Sequence, residues 1–183
     1  MATAIGLLEL KSIPIGIKSA DEMLKAAQVR LLLAAPSCPG KYLIIVSGQV
    51  GAVKSAMTAG LQEAGVYLVA SHVINNVHQD VPAAIIGTAE IGNIRSLAVI
   101  ESISALTAVM AADIAAKAAN VRLMEVRLAR GLGGKGFVIF TGEVAAVNAA
   151  VKSCQNELAS SGEITGTCVI PSPHPGLIEQ LLQ

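Results

Sequence analysis

The sequence predicts an α/β chain of the α+β kind, built from two tandem β-α-β-β-α-β units. Three observations carry this prediction: the chain repeats itself at an offset of 92 to 96 residues, each repeat has the same order of short apolar runs and Ala-rich helical segments, and Gly- or Pro-rich turns fall at the same places in both. Internal repetition is the first thing to settle, because it dictates the architecture. SADEMLKAAQVRLL (19–32) lies on AADIAAKAANVRLM (111–124) at an offset of 92. GKYLIIVSGQVGAV (40–53) lies on GKGFVIFTGEVAAV (134–147) at 94, and VINNVH (73–78) on VIPSPH (169–174) at 96. The expected units are residues 4–88 and 96–183.

Within the first repeat, AIGLLEL (4–10) is a short apolar run ending in charge, which suits a buried strand. Asp21 and Lys25 stand at i, i+4 among alanines and mark a helix. VRLLLAA (29–35) reads as a second strand, PSCPGK (36–41) as a loop, and YLIIVSG (42–48) as a third strand broken at Gly48. QVGAVKSAMTAGLQEAG reads as a helix stopped by Gly65, and VYLVASHVI as the closing strand. This order is that of ferredoxin-like folds, with helices on one face of an antiparallel sheet. The opposite sheet face and the unit edges are left for other surfaces to cover.

Composition says what those surfaces meet. Of 183 residues, 53% are hydrophobic and only 14% charged, against about a quarter charged in ordinary soluble domains. Part of the surface is therefore expected to be covered by other subunits. Thirteen basic residues balance thirteen acidic ones, which argues against nucleic acid as a partner. Glu9, Glu101, Asp113 and Glu143 interrupt the apolar stretches, so no membrane span is expected. MATAIGLLELK lacks a basic leader region, and three cysteines do not make a disulfide scaffold. The expectation is a reduced cytoplasmic protein.

The chemistry-bearing candidates are few. Gly131, Gly133 and Gly136 satisfy GxGxxG within RGLGGKG (130–136). That fingerprint requires a following helix, and here a strand, GFVIFTG, follows, so dinucleotide binding is rejected. His78 and His174 close strand-end phrases without an acid or nucleophile at triad spacing. Cys154 is expected in a helix and Cys168 in a strand, both as packing residues. No paired carboxylates, activated serine or metal-ligand run points to an enzyme. Cys38, between Pro36 and Pro39, is by itself a small hydrophobe as readily as a ligand.

Taken together, A-x-D-x-x-x-K-A-A-x-V, the G-K phrase before a strand, SGQVGAV and VIPSPH resemble the bacterial microcompartment shell domain. Two in one chain resemble the tandem-domain trimeric type, and the Cys38 loop is most similar to the iron–sulfur trimeric type of propanediol-utilisation compartments. The resemblance implies a homotrimer of pseudo-hexameric shape that packs with other shell proteins into a facet. It implies that Ser37, Cys38, Pro39 and Gly40, with Gly131, Leu132, Gly133 and Gly134, surround the tile axis as pore loops. It places Lys25 and Lys117 at tile edges, beside Asn76 and Ser172, where the family's IPRPH phrase has a basic residue. It also implies a [4Fe–4S] cluster, one per trimer, with three Cys38 ligands, serving electron or cluster transfer and a redox enzyme partner. A Cys₃ zinc site, a plain metabolite pore with free thiols, and a small redox carrier are the alternatives.

Overall fold

The architecture comes from a computed structural model, described for residues 3–128 and 131–181. The first two residues of the N-terminal stretch, Arg130 of the glycine-rich run and the last two residues of the second unit lie outside the described residues. In the first repeat, β1 (Ala4–Leu10), α1 (Ile13–Ala26), β2 (Arg30–Ser37), β3 (Lys41–Gly48), α2 (Val50–Ala64) and β4 (Leu68–Asn75) follow one another. A short helix α3 (Val81–Ile85) comes next. The second repeat runs β5 (Ser96–Ser102), α4 (Ala105–Ala118), β6 (Val121–Leu128), β7 (Gly136–Gly142), α5 (Val144–Glu157), β8 (Ile164–Ile170) and α6 (Pro175–Leu181). The expected β-α-β-β-α-β order holds in both. The short helices α3 and α6, one after each unit's last strand, were not anticipated.

Serine caps start α1 and α4, and Gly65 stops α2 where the sequence suggested. Ser12 caps α1 by accepting from the Ile15 amide at 3.4 Å, and Ser104 caps α4 by accepting from the Thr107 amide at 3.2 Å. Gly65 ends α2 at φ +46°, a conformation that favours glycine. The β2–β3 turn is shorter than expected, because β2 continues through Pro36 and Ser37 opposite Tyr42 and Lys41. Only Cys38, Pro39 and Gly40 remain as the tip.

Each repeat makes a four-stranded antiparallel sheet, ordered β2-β3-β1-β4 and β6-β7-β5-β8. The duplication survives in the register: Leu7 pairs with Ile45 and its repeat Val99 with Ile139. Alternation along β1 splits the residues between two layers. Leu8 and Leu10, with Ile44 and Val46, pack with Met23, Val53 and Met57 from α1 and α2. Ile5 and Leu7, with Leu43 and Ile45, face the other way, into a cluster that continues through Ile74, Val77 and Val81 to the alanines of α4. This second cluster joins the repeats, so the centre of the open face of the first sheet, along β1 and β3, is covered from within the chain. At roughly 25 cal/mol per Å² of apolar area, that continuity makes the repeats one packed body. Among the described residues, no helix is long and apolar enough to cross a membrane.

Candidate functional site at the converging hairpin tips

The two β-hairpins that carry the candidate loops meet within one chain. On the first, Cys38 is half-buried at the tip, the Cys38–Pro39 bond is cis, and Gly40 has φ +67°. On the second, Gly131, Gly133 and Gly134 all have positive φ, at 71°, 62° and 95°, and the Lys135 amide donates to the Leu132 carbonyl at 3.1 Å. A run of such angles needs glycine, since L side chains clash there. Gly134 is also where the tips touch. A Cβ on it would stand 3.2 Å from the Cys38 carbonyl oxygen and 3.4 Å from Pro39 Cδ. The strand β7 that follows is the expected one, so these glycines do not open a helix as a dinucleotide fingerprint requires.

Beneath each tip lies an ion pair that the sequence reading did not find. Glu9 on β1 accepts from Lys41 at 3.2 Å, and Glu101 on β5 accepts from Lys135 at 2.9 Å. Lys41 begins β3 and Lys135 directly precedes β7, so each carboxylate ties its tip to the centre of its sheet. The environments differ: the Glu9 side chain is 2% exposed and that of Glu101 41%. The Thr165 hydroxyl, donating at 2.6 Å, and then Lys135 hold the Glu101 carboxyl below the usual carboxylate range. The signal was in the sequence: a Glu late in an apolar strand and a Lys after the glycine, both twice.

Beside Cys38, the Ser37 hydroxyl is buried with no hydrogen-bond partner, a costly state for a polar group. Among the described residues no three His, Cys, Asp or Glu side chains gather closely enough to hold a metal. One chain therefore offers Cys38 at the tip as a single thiol. The other cysteines are elsewhere. Cys154 on α5 is buried, donates to the Ala111 carbonyl at 3.3 Å, and is pushed up to about 12 chiefly by burial, with Glu157 adding to it. Cys168 corrects an expectation: it is exposed on β8, an edge strand, and does not pack within the chain.

The candidate edge residues split into two environments. Lys25 on α1 is paired only with its own helix, through Asp21 and Glu22. The Asp21 hydrogen bond, then that of Glu22, raises it above the usual lysine value. Lys117 on α4 donates to Asp113 at 2.6 Å, and the other Asp113 oxygen accepts from the His78 amide at 2.8 Å. Lys117 thus sits at the junction between repeats. Asn76 is in that same turn at φ +51°, tolerable because Asn visits the left-handed region readily. Ser172, its positional repeat, is exposed.

Comparison with known proteins accounts for this arrangement. The BMC domain model matches twice, over residues 4–77 and 96–173. The bacterial microcompartment shell protein PduT of Citrobacter freundii is 39% identical over 183 residues, covering 100% of both chains. A crystal structure of a microcompartment protein from Desulfitobacterium hafniense DCB is 42% identical, with a TM-score of 0.94 over 98% of this chain and 99% of that one. The fused permuted hexameric shell protein MSM0275 from the RMM microcompartment is 26% identical, with a TM-score of 0.62 over 86% and 82% of the two chains. Duplicated fold, duplicated register and full-length likeness agree: the chain belongs to the BMC-domain family of bacterial microcompartment shell proteins, in its tandem form.

Proposed function

We propose that three chains close into a six-domain tile of a microcompartment facet, and that the tile axis holds a [4Fe–4S] cluster ligated by one Cys38 from each chain. The observation that carries this reading is the contact between the two hairpin tips at Cys38 and Gly134. Tips that already meet within a chain are suited to crowd together around an axis shared by three. The donor set agrees with the group only in that setting. A single thiol cannot hold a cluster, whereas three thiolates leave one iron for a non-protein ligand. The half-buried position of Cys38 and the unpartnered hydroxyl of Ser37 also suit a loop completed by something outside the chain. When bound, the cluster supplies one-electron chemistry, and the tile conducts electrons or the cluster itself across the shell. Its partners are other shell proteins, docked along borders that include Lys25, Lys117, Asn76 and Ser172, and a redox enzyme on one side. The likeness to a named shell protein over its whole length supports the facet role.

Iron and acid-labile sulfide, measured on anaerobically purified protein together with its mass, test the reading. Four of each per three chains, lost in Cys38→Ser with the trimer retained, is the expected result. A trimer that takes up no iron on anaerobic reconstitution leaves a plain pore in its place.

A further inference from the structure

Duplication lets one cavity be compared with its own repeat. In the first repeat, Gln28 and Arg30 at the start of β2, Ser47 and Gly48 at the end of β3, Gln49 before α2 and Pro82 of α3 line a cavity of about 560 Å³. The counterparts of Gln28 and Arg30 at an offset of 92 are Asn120 and Arg122, and those of Ser47, Gly48 and Gln49 at 94 are Thr141, Gly142 and Glu143. All of these line a cavity of about 440 Å³ in the second repeat. The same cradle is thus built twice, each time with an amide, a guanidinium and a hydroxyl on the ends of neighbouring strands. Arg30 stands directly opposite Ser47 in the ladder, and Arg122 directly opposite Thr141, so guanidinium and hydroxyl share one face of the sheet.

What differs is how the donors are spent. In the second repeat the Arg122 guanidinium donates to the Ile91 carbonyl at 3.0 Å, and the Thr141 hydroxyl donates to the Ser96 carbonyl at 2.7 Å. Two carboxylates, Asp80 and Glu143, also stand in that wall, and Glu143 is paired with Arg95. In the first repeat the same donors are idle. Among the described residues Arg30 has no hydrogen bond or ion pair, and the Ser47 hydroxyl has no hydrogen-bond partner although the residue is only 3% exposed. Among the described residues no carboxylate lines this cavity, and neutral Gln49 stands where the second repeat has Glu143. A buried hydroxyl without a partner is costly. The unpaired guanidinium beside it gives the cavity a positive charge with no counter-charge in its own wall.

From this we infer that the first-repeat cavity binds a phosphoryl group, carried by inorganic phosphate or by a small phosphate monoester, with Arg30 and Ser47 as its principal donors. Arg30 supplies the planar fork that grips two phosphate oxygens. The Ser47 hydroxyl, on the adjacent strand, donates to the same group from a second direction, and the Gln28 carboxamide adds a further N–H donor. Donors on two strands match a tetrahedral oxyanion better than a planar carboxylate, whose two oxygens the fork alone would satisfy. The volume of the cavity falls within the range of small-molecule sites, roughly 300–1,000 Å³, so an organic group on the phosphate has room. The second-repeat cradle, with its donors spent and two carboxylates in its wall, does not suit an anion. The site requires neither a cluster at Cys38 nor association of chains.

Calorimetric titration of the full chain with inorganic phosphate and, separately, with glycerol phosphate tests this. Ionic strength is held constant with chloride, because salt screens exposed charges. The parent is expected to bind either compound saturably, one per chain. Arg30→Gln is expected to weaken binding roughly tenfold or more, and Ser47→Ala several-fold. Gln49→Glu, which places the second repeat's acid in this wall, is expected to weaken it too. Arg122→Gln leaves the affinity unchanged. Acetate, planar and singly charged, binds more weakly than phosphate by roughly tenfold or more. Tighter binding of the ester than of inorganic phosphate assigns the site to a phosphorylated small molecule, and equal binding assigns it to free phosphate. The absence of saturable binding by both compounds overturns the site. So does binding that Arg30→Gln leaves intact, or that Arg122→Gln removes. Circular dichroism of Ser47→Ala, the one buried position changed, separates lost binding from lost fold. Should that variant unfold, Arg30→Gln, at an exposed position, carries the test.

Discussion

The Asp113 carboxylate receives the His78 backbone N–H at 2.8 Å and the Lys117 ammonium at 2.6 Å, one on each oxygen. It is a helix residue of one repeat pinning the strand-end turn of the other. Hydrogen bonds to a charged group contribute about 1.5–3 kcal/mol, and the loss is compounded when a buried donor is left bare. Asp113→Ala is therefore expected to lower the unfolding free energy by about 2–3 kcal/mol, while Asp21→Ala, at the exposed counterpart, costs the isolated chain about 0.5 kcal/mol or less. Urea unfolding of both variants under dissociating conditions checks this. Equal losses would mean the His78 contact does not tie the repeats together.

Lys25 and Lys117 share a motif but not a setting. Among the described residues Lys25 forms its ion pairs within its own helix, whereas Lys117 supports the junction through Asp113. If the proposed trimer packs into sheets, Lys25→Ala is expected to impair sheet formation while leaving the parent's oligomeric mass and melting temperature unchanged. Lys117→Ala is expected to impair sheets and also lower the melting temperature by a few degrees, the equivalent of about 1 kcal/mol. Electron microscopy of sheets, set beside calorimetry, separates the two effects. Wild-type sheets from Lys25→Ala would take that lysine off the border.

Most of the fold was legible because duplication gives each element two independent witnesses. Asp21 and Asp113 announced the same helix twice, and the glycine-rich turns recurred in step. The tip itself was less legible. Pro36 and Ser37 looked like loop, but the ladder opposite Tyr42 and Lys41 holds them as strand. The short helices α3 and α6 have five and seven residues, too few to show a periodic signature. Glu9 and Glu101 read as interruptions of apolar runs, because nothing local reveals that a lysine some thirty residues away, Lys41 or Lys135, returns to meet them. Exposure of Cys168 was hidden for a different reason. A β-strand cysteine looks alike on either face, and β8 proved to be an edge strand.

The unequal burial of Glu9 and Glu101 predicts unequal consequences for one substitution made twice. Glu9→Gln leaves Lys41 beside a buried neutral amide and is expected to cost about 2–3 kcal/mol, below the full penalty for breaking a buried pair because Lys41 reaches solvent. Glu101→Gln, in a solvent-exposed pair, is expected to cost less than about 1 kcal/mol. Thermal or urea unfolding of the two single variants reads the difference. If Glu101→Gln were the costlier change, the buried pair would not be the stronger anchor of its tip.

Cys154 makes a prediction about alkaline pH. Burial pushes its thiol from an ordinary 9.0 up to about 12. Below pH 9 the thiol is protonated in both folded and unfolded chains and its contribution is fully present. Between pH 9 and 12 the unfolded chain releases the proton and the folded chain keeps it, so stability falls as pH rises, by about 1.4 kcal/mol per unit. Lysines and tyrosines titrate over the same range, so the useful quantity is the difference between the parent and Cys154→Ala. That variant is expected to be less stable at pH 7 yet to lose stability less steeply above pH 9. Parallel pH profiles would show that the thiol does not titrate late. Maleimide labelling of the native protein at pH 7 should likewise spare Cys154 and modify exposed Cys168.

Gly134 links the local geometry of the second tip to the thiol on the first. Its φ of +95° is strained for any side chain, and an added methyl would press on the Cys38 carbonyl at 3.2 Å and on Pro39. Gly131, at φ +71°, has open space around it. Gly131→Ala is thus expected to cost about 1 kcal/mol in backbone strain and leave the first tip in place. Gly134→Ala adds the push on Cys38, and is expected to cost about 2–3 kcal/mol in total. If three Cys38 thiolates ligate a cluster, the two variants diverge further in iron content. Gly131→Ala should retain close to the parent's iron and sulfide on reconstitution, and Gly134→Ala should bind less and lose it faster to a chelator, with the trimer mass unchanged in both. Cys38→Ser bounds the comparison from below and Cys168→Ser, on the edge strand β8, from above. Equal iron in the two alanine variants would mean that the Gly134 contact does not position the thiol. Full iron and sulfide in Cys38→Ser would exclude Cys38 as the ligand.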